Sequence, residues 1–264
     1  MPSKLVLVTG ASSGIGEATA KLYGAQGAHM LLLARNEGKL EQVASAITRG
    51  GGTATSYRID LADPAAIAET SARIKREAGT PDILINNAGA GRWLSVLETS
   101  AEEVQSMIAV PYLAAFNLTR AFLPEMIARG CGAIACITSP ASYVVWPNAA
   151  GYAAARHAML GFTESLRADL RRTGVGVTLV VLGPVETSYW QHNPGSRERL
   201  PESNPILAPI LTAEQAARAI AHGIELRRKR VFKPGILRAL VLLNAFAPDL
   251  VTRQLRRAVK KRSA

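Results

Sequence analysis

The sequence predicts an α/β fold in which a doubly wound parallel sheet forms a single domain, followed by a basic C-terminal helical extension. Short, continuous, β-branched apolar runs alternate with helical patterns, and no low-complexity linker divides the first 230 residues. Such runs are typical of strands buried on both faces, and their alternation with helices favours a parallel sheet. We place the domain at residues 1–234 and the extension at residues 235–264.

The predicted elements follow one another along the whole domain. The strands are Leu5–Val8, Met30–Leu33, Ala54–Ile59, Ile83–Ile85, Ala133–Ile137, Val175–Leu182 and Arg230–Phe232. The helices are Gly14–Gly27, Lys39–Thr48, Pro64–Ala78 and the stretches of roughly 100–129, 150–171 and 212–228. A segment rich in Pro, Asn and Ser separates the sixth strand from the last of these helices. Each helix therefore returns the chain to the start of the next parallel strand.

Composition excludes several classes of protein. Hydrophobic residues make up 48% of the 264 residues and charged residues 19%, so a disordered chain is excluded. The two cysteines, Cys131 and Cys136, are too few for a disulfide framework or a four-ligand zinc site, and we expect no metal. They fit a reducing compartment, and we expect a cytoplasmic protein. We also expect no signal peptide and no membrane-spanning helix, because the apolar runs are short.

The net charge of +11 comes from one end of the chain. Residues 227–264 contain 12 Lys and Arg residues and one acid, Asp249, which leaves 19 basic and 19 acidic residues in positions 1–226. Because the rest of the chain is neutral, the high isoelectric point is no argument for nucleic-acid binding by the main fold. We therefore expect no nucleic-acid partner.

The turn after the first strand has the composition of a phosphate site. It reads Thr9-Gly10-Ala11-Ser12-Ser13-Gly14-Ile15-Gly16 and leads into a helix. Glycines let the backbone turn tightly and approach a diphosphate, while the helix N-terminus offers free N–H groups and a positive dipole end. The sequence therefore predicts a dinucleotide site at this turn.

Three motifs together resemble the short-chain dehydrogenase/reductase family over about residues 4–190. They are the TGASSGIG turn, Asn86-Asn87-Ala88-Gly89 after the fourth strand, and Ser139 placed thirteen residues before Tyr152. The resemblance implies a Rossmann-type fold and an oxidoreductase that uses a nicotinamide cofactor. The cofactor-binding residues that it implies are Gly10, Ser12, Ser13, Gly14, Ile15, Gly16, Asp60, Leu61, Asn87, Ala88, Gly89, Tyr152, Arg156, Gly183, Val185 and Thr187.

Arg35 indicates which cofactor is used. It lies just after the second strand, where a Rossmann site meets the adenosine 2′ position, and arginine suits a 2′-phosphate. We therefore expect NADP(H). The alternative is that Arg35 is a solvated residue that opens a helix. In the same way, Asp60 or Asp63 could simply cap the helix that begins at Pro64.

The catalytic residues that the resemblance implies are Ser139, Tyr152 and Arg156. Tyr152 exchanges a proton with the substrate oxygen, and Ser139 orients that oxygen. A free phenol titrates near ~10, so a neighbouring cation is needed. The family usually has lysine four residues after the tyrosine, where this chain has Arg156, and asparagine where it has Pro111. Arginine keeps the charge but does not release its proton. The alternative is a catalytically impaired NADP(H)-binding sensor or scaffold protein.

Aromatic residues gather where strands end. Trp93, Trp146 and Trp190 follow the fourth, fifth and sixth strands, and Tyr143 and Tyr189 lie beside them. Ligands bind outside the carboxyl ends of parallel strands, so we expect these five side chains to line a pocket for an apolar carbonyl or secondary alcohol. The alternative is a subunit interface or a loop core. The segment of about 188–211 resembles the family's substrate lid.

The sequence of the tail predicts two helices of different character. Ile236–Ala247 is apolar nearly all round, whereas Asp249–Arg262 is amphipathic and basic. In the second stretch Leu250, Val251, Leu255 and Val259 share one arc, and Arg253, Arg256, Arg257 and Lys260 share the opposite one. This pattern favours peripheral contact with a membrane; a helix closing the substrate pocket and a helix packed on another subunit remain open. The resemblance also implies a homo-oligomer, a dimer or tetramer paired through the long helices.

Overall fold

Seven parallel strands form one sheet in the computed structural model, which describes residues 3–89, 91–200 and 209–262, with side chains as far as residue 257. Along the chain they are β1 Leu5–Thr9, β2 His29–Ala34, β3 Thr53–Arg58, β4 Ile83–Asn86, β5 Gly132–Thr138, β6 Val175–Leu182 and β7 Arg230–Lys233. Their spatial order is β3-β2-β1-β4-β5-β6-β7. The order reverses between β1 and β4, which is where a doubly wound sheet binds its ligand.

The helices of the domain pack on both faces of this sheet. They are α1 Gly14–Ala25, α2 Glu37–Arg49, α3 Pro64–Glu77, α4 Ala101–Ile108, α5 Ala114–Ala128, α6 Ala150–Asp169, α7 Tyr189–His192 and α8 Ala213–Glu225. Apolar residues of α1, α2 and α8 form one core with the sheet, and those of α3, α5 and α6 form a second core on the other face. The predicted doubly wound parallel fold is therefore confirmed.

Pro111 lies in a break between α4 and α5. The two helices are joined by one π-helical turn, Ala109–Leu113, in which Pro111 is buried. Proline has no N–H to donate and its ring clashes with the preceding turn, so the wider turn accommodates it within an otherwise continuous helix.

One helical stretch among the described residues, Ala101–Ala128, has the length and mean hydropathy of a membrane span. It is the bent helix that contains α4 and α5, and its residues Leu118, Phe122 and Met126 are fully buried against the sheet. A core helix of this fold therefore meets the same criteria, which are weak evidence on their own.

Two further helices follow β7 and lie over the carboxyl edge of the sheet. They are α9 Ile236–Phe246 and α10 Pro248–Arg262, which pack on each other. Leu237 of α9 and Val251 of α10 are buried. The tail is therefore packed on the fold along at least one side of each helix.

Candidate active site

Two adjoining cavities open at the carboxyl edge of the sheet. One is a mixed polar cleft of about 560 Å³ above β1, β2 and β4, and the other is an apolar cavity of about 370 Å³ above β5 and β6. The residues that line both of them are Ile15, Asn87, Gly89, Thr187 and Tyr189. The cleft and the cavity therefore share part of their walls.

The glycine-rich turn, which the sequence predicts as a dinucleotide site, lines the cleft. Gly10 and Gly14 have φ values of +66° and +56°, in the left-handed region that favours glycine. Gly16 does not line the cleft, although the sequence predicted that it would bind the cofactor. A Cβ atom on Gly16 would lie 2.2 Å from the carbonyl oxygen of Gly10, so its role is to let α1 pack against the turn. Ser12, Ser13 and Ile15 line the cleft at the start of α1.

The far end of the cleft carries two cations. Arg35 and Lys39 both line it, and neither forms an ion pair with a described acid. The side chain of Asn36 accepts a hydrogen bond from the Lys39 N–H at 3.0 Å and thereby starts α2 beside the cleft. Sequence reasoning missed Lys39, which lies within the first turn of α2 and so points back toward the end of β2.

Asp60 and Leu61 also line this end, as predicted. Asp60 accepts a hydrogen bond from the Ala62 N–H at 3.0 Å, which holds the turn after β3. The cap of α3 is Asp63, whose side chain accepts from Ala65 N–H at 2.8 Å. Asp63 therefore performs the capping role that had been left open for either aspartate.

The end of β4 is tied to β1 by Thr9. Its Oγ1 accepts hydrogen bonds from the N–H groups of Asn87 and Ala88, both at 2.9 Å, and Asn87 Nδ2 donates to the Thr9 carbonyl at 2.9 Å. This network fixes Asn87, Ala88 and Gly89 along the wall of the cleft, where the sequence placed them.

Ser139, Tyr152 and Arg156 meet in the apolar cavity. Ser139 ends β5 and its Oγ accepts a hydrogen bond from Ala141 N–H at 3.1 Å. Tyr152 and Arg156 lie one turn apart on α6, so that their side chains leave the same face of the helix. All three predicted catalytic residues therefore line one cavity.

Arg156 is directed into the site and not into solvent. Only 7% of Arg156 is exposed, and its Cζ lies 4.6 Å from the centroid of the Tyr152 ring. The guanidinium also covers Gly89, where a Cβ atom would lie 2.9 Å from Nη2. No described carboxylate pairs with Arg156, and its Nε has no hydrogen-bond partner within the described part of the chain. Its positive charge therefore has no described acid as a partner and lies against the face of the Tyr152 ring.

The aromatic wall of the cavity is largely as predicted. Trp93 packs against both Trp146 and Tyr152, with ring centroids 5.7 Å and 5.5 Å apart, and Tyr189 lies against Trp190 at 5.1 Å. The carboxyl ends of parallel strands meet at one edge, which is why residues distant in sequence converge here.

Tyr143 is not among the cavity residues, and the prediction that it lines the pocket is wrong. A short 3₁₀ turn, Pro140–Ser142, directs it toward β7, where its ring lies 6.0 Å from that of Phe232. Burial raises the pKa of its hydroxyl group, which has no hydrogen-bond partner in the described structure. Tyr143 therefore has a packing role.

The first part of the predicted lid is folded down and held by hydrogen bonds. The Tyr189 hydroxyl donates to the Gly91 carbonyl at 2.5 Å, and Trp93 N–H donates to Ser196 Oγ at 2.9 Å. Burial and the nearby Tyr152 raise the pKa of Tyr189, so it remains a neutral donor. Residues 201–208 of the lid lie outside the described residues.

A bidentate ion pair adds to this closure. Arg199 of the lid binds Glu98 at 2.6 Å and 2.7 Å, and together with Ser95 it holds the pKa of that carboxyl well below its ordinary value. Arg197 binds Glu186 in the same way. The lid is therefore attached to the two loops that frame the cavity mouth.

The tail supplies part of the cavity wall that sequence reasoning did not assign. Leu237 and Leu240 of α9 and Leu255 of α10 line the cavity. Asn244 Nδ2 donates to the Tyr143 carbonyl at 2.9 Å and fixes α9 over this edge. Gly183 and Val185, which the sequence assigned to the cofactor, lie in the same wall. The tail thus closes the pocket, one of the alternatives left open for it.

No cluster of three or more His, Cys, Asp or Glu side chains that could hold a metal ion occurs in the described ranges.

Comparison with known proteins identifies relatives of this chain. Residues 4–197 match the family model described as short chain dehydrogenase. The chain is 35% identical over 199 residues to the probable oxidoreductase EphD of Mycobacterium tuberculosis. The match covers 74% of this chain and 34% of EphD, so this chain spans about a third of the length of that relative. It is 35% identical over 199 residues to the 2,3-dihydro-2,3-dihydroxybenzoate dehydrogenase of Bacillus subtilis, covering 74% of this chain and 76% of that one.

A third relative matches nearly the whole chain. The 17-beta-hydroxysteroid dehydrogenase 13 of Rattus norvegicus is 29% identical over 254 residues, covering 96% of this chain and 82% of that one. Among solved structures, a metagenomic short-chain oxidoreductase in complex with NADP has a TM-score of 0.70 and 32% identity, covering 83% and 89% of the two chains. A short-chain dehydrogenase from Sphingobium yanoikuyae in complex with NADPH has a TM-score of 0.80 and 25% identity, covering 94% of each.

Proposed function

The chain belongs to the short-chain dehydrogenase/reductase family, and from that premise we propose that it is an NADP(H)-dependent oxidoreductase acting on an apolar carbonyl compound or secondary alcohol. The observation that carries the proposal is the stacking of a buried, unpaired Arg156 on Tyr152 in the wall of the apolar cavity.

The cleft fits a dinucleotide diphosphate. The left-handed Gly10 and Gly14 leave the backbone open, and the N-terminus of α1 offers free N–H groups and the positive end of its dipole to the diphosphate. Arg35 and Lys39 place two positive charges at the adenosine end, where they can bind a 2′-phosphate. The NADP and NADPH complexes of the two solved relatives support the same cofactor.

NADP(H), when bound, supplies or accepts the hydride at the substrate carbon. In the reducing direction the Tyr152 hydroxyl donates its proton to the substrate oxygen, and in the oxidising direction the phenolate takes the proton back. Ser139 Oγ lies in the same cavity and hydrogen-bonds the substrate oxygen, which holds it toward Tyr152. The proton therefore moves between the Tyr152 oxygen and the substrate oxygen within one cavity.

Arg156 performs the electrostatic part of the role that lysine has in the family. Its guanidinium Cζ lies 4.6 Å from the centroid of the Tyr152 ring, so a positive charge faces the ring that bears the negative charge when the phenol gives up its proton. An arginine side chain does not release its proton, so the proton that re-forms the Tyr152 phenol is supplied by water. Pro111 has no side-chain donor or acceptor and takes no part in that transfer.

The cavity favours an apolar substrate. Its wall is built from Trp93, Trp146, Trp190 and leucines of the lid and tail, while polar groups gather at the Ser139 and Tyr152 end. A ketone or alcohol whose single polar group faces that end leaves few buried polar atoms unpaired.

We further propose a homo-oligomer in the cytoplasm. Leu113 and Phe116 on the bent helix are more than two-fifths exposed, and Phe116 stacks on Phe162 of α6 at 5.7 Å, which gives the two long helices a shared apolar surface. Such a surface suits pairing with a second copy.

The thiols of Cys131 and Cys136 are free, which supports a reducing compartment.

A substrate panel tests the proposal. Initial rates of NADPH oxidation are measured with cyclic and aromatic ketones, apolar aldehydes and short polyhydroxy ketones, each repeated with NADH. We expect the highest kcat/KM for apolar ketones or aldehydes with NADPH. A preference for polyhydroxy substrates would contradict the substrate assignment. Tight NADPH binding without turnover of any carbonyl or alcohol would favour the alternative, a nucleotide sensor or scaffold.

A further inference from the structure

The outer side of α9 is apolar and exposed. Its inner residues, Leu237 and Leu240, face the cavity, so the residues half a turn away face outward. Leu242 and Phe246 lie on that outward face and are 54% and 88% exposed, and Leu243, at the side of the helix, is 48% exposed. These three large apolar side chains form an exposed patch of the kind that marks an interaction site.

The outer side of α10 is basic. Arg253, Arg256 and Arg257 are all exposed and line a shallow groove with the loop at Pro147–Asn148. None of the three arginines pairs with an acid in the described part of the chain, although Asp249 lies in the same groove. Their inward neighbours Val251 and Leu255 are packed, so the helix has its basic side turned to solvent. Three unpaired guanidinium groups therefore lie on the helix that packs against α9.

We propose that this surface, defined by Leu242, Leu243, Phe246, Arg253, Arg256 and Arg257, docks on an anionic lipid bilayer. Apolar side chains enter the boundary between headgroups and acyl chains, and guanidinium groups bind lipid phosphates. The eleven residues of α9 are too few to span a bilayer, so the helix lies in the interface.

Charge favours a membrane over a second copy of the chain. Residues 227–264 carry 12 basic residues and one acid. Pairing this surface with itself would bring two clusters of unpaired arginines together, and their mutual repulsion opposes such a dimer. An anionic bilayer supplies both an acyl layer for Phe246 and opposite charge for the arginines.

Docking has a consequence for the substrate. Leu237, Leu240 and Leu255 line the cavity from the inner side of the same two helices. A bilayer bound to the outer side is therefore separated from the cavity by a single layer of helix. Apolar compounds dissolve in that bilayer, so docking places the enzyme at the phase that holds its substrates.

Vesicle flotation of the full-length chain tests the proposal. The chain is mixed with vesicles of phosphatidylcholine alone and of phosphatidylcholine with phosphatidylglycerol, at low and high salt. We expect binding to the anionic vesicles, weakened by salt. The triple variant Arg253→Gln, Arg256→Gln, Arg257→Gln should bind about 100-fold more weakly, since each basic residue near an anionic surface contributes roughly five-fold. Leu242→Gln with Phe246→Gln should also lose binding.

Matched controls lie at the opposite edge of the sheet. Arg49→Gln, Arg171→Gln and Arg228→Gln remove the same charge from exposed positions, and Ile127→Gln with Leu226→Gln remove exposed apolar side chains. Both control variants should float with the vesicles as the native chain does. The proposal is overturned if the native chain fails to bind anionic vesicles, or if tail and control variants bind equally. It is also overturned if the tail variants alter only the oligomeric state in sedimentation velocity.

Discussion

Replacing Arg156 with methionine removes the charge beside Tyr152 while keeping a side chain of similar length. The guanidinium Cζ lies 4.6 Å from the Tyr152 ring centroid, and at an effective dielectric constant of ~20 a unit charge at that distance contributes about 3.6 kcal/mol. The phenolate charge lies mostly on the oxygen, beyond the centroid, so this figure is an upper value. We therefore expect kcat/KM to fall roughly 100- to 400-fold.

The assay is a single-turnover measurement of NADPH oxidation with an apolar ketone at saturating cofactor. Arg156→Lys is the matched control, because it restores the charge that Arg156→Met removes, and it should retain activity within roughly ten-fold of the native chain. Thermal melting gives a second control. Arg156 is buried with an unpaired charge and an unpaired Nε, so Arg156→Met should melt at or above the native temperature.

Two results would refute this reasoning. If Arg156→Met keeps native activity within three-fold, the guanidinium does not stabilise the phenolate. If Arg156→Met and Arg156→Lys lose activity equally, the site requires the shape of the arginine and not its charge.

Three other predictions follow from the site. Tyr152→Phe should lower turnover by on the order of 1,000-fold while NADPH binding, measured by titration calorimetry, weakens far less, because only the hydroxyl is removed; retained turnover would exclude Tyr152 as the proton donor. Arg35→Ala with Lys39→Ala should weaken NADPH binding about 30-fold, at ~1 kcal/mol per charge, and leave NADH binding unchanged; equal weakening of both would contradict a 2′-phosphate role. The pKa of Glu98 is held below its ordinary value of 4.5 by Arg199, so their pair stabilises the lid above about pH 4.5 and is lost as the pH falls through the lower folded-state pKa. The backbone amides of residues 188–200 should therefore exchange faster at acid pH in the native chain, and faster already at neutral pH in Glu98→Gln. If these amides are as protected in Glu98→Gln as in the native chain, the ion pair does not hold the lid.

The sequence predicts the site best where backbone geometry leaves little choice. Parallel strands have their carboxyl ends at one edge of the sheet, and two features of the site follow from that. One is the turn at Gly10 and Gly14, and the other is the convergence of Trp93 and Trp146. Tyr143 follows the same strand as Trp146 but faces the other way, because the intervening 3₁₀ turn sets its direction and sequence spacing does not reveal that turn.

Helical faces were harder to assign. In α10 the spacing predicts that Val251 and Leu255 face inward, as they do, but Leu250, placed on the same arc, is 48% exposed. The predicted position of Val259 concerns a side chain outside the described residues. In α9 nearly every position is apolar, so periodicity could not single out Leu237 and Leu240 as cavity residues. The periodicity of apolar residues shows which residues share a helical face, but only tertiary packing determines what that face contacts.

The most direct test of the account follows the hydride itself. NADPH carrying deuterium at the transferable position is incubated with the native chain and an apolar ketone, and the alcohol product is analysed by mass spectrometry. The account predicts one deuterium at the carbinol carbon with the native chain and none above background with Tyr152→Phe. Product without deuterium, or a chain that binds NADPH tightly and forms no product with any apolar carbonyl, would contradict it.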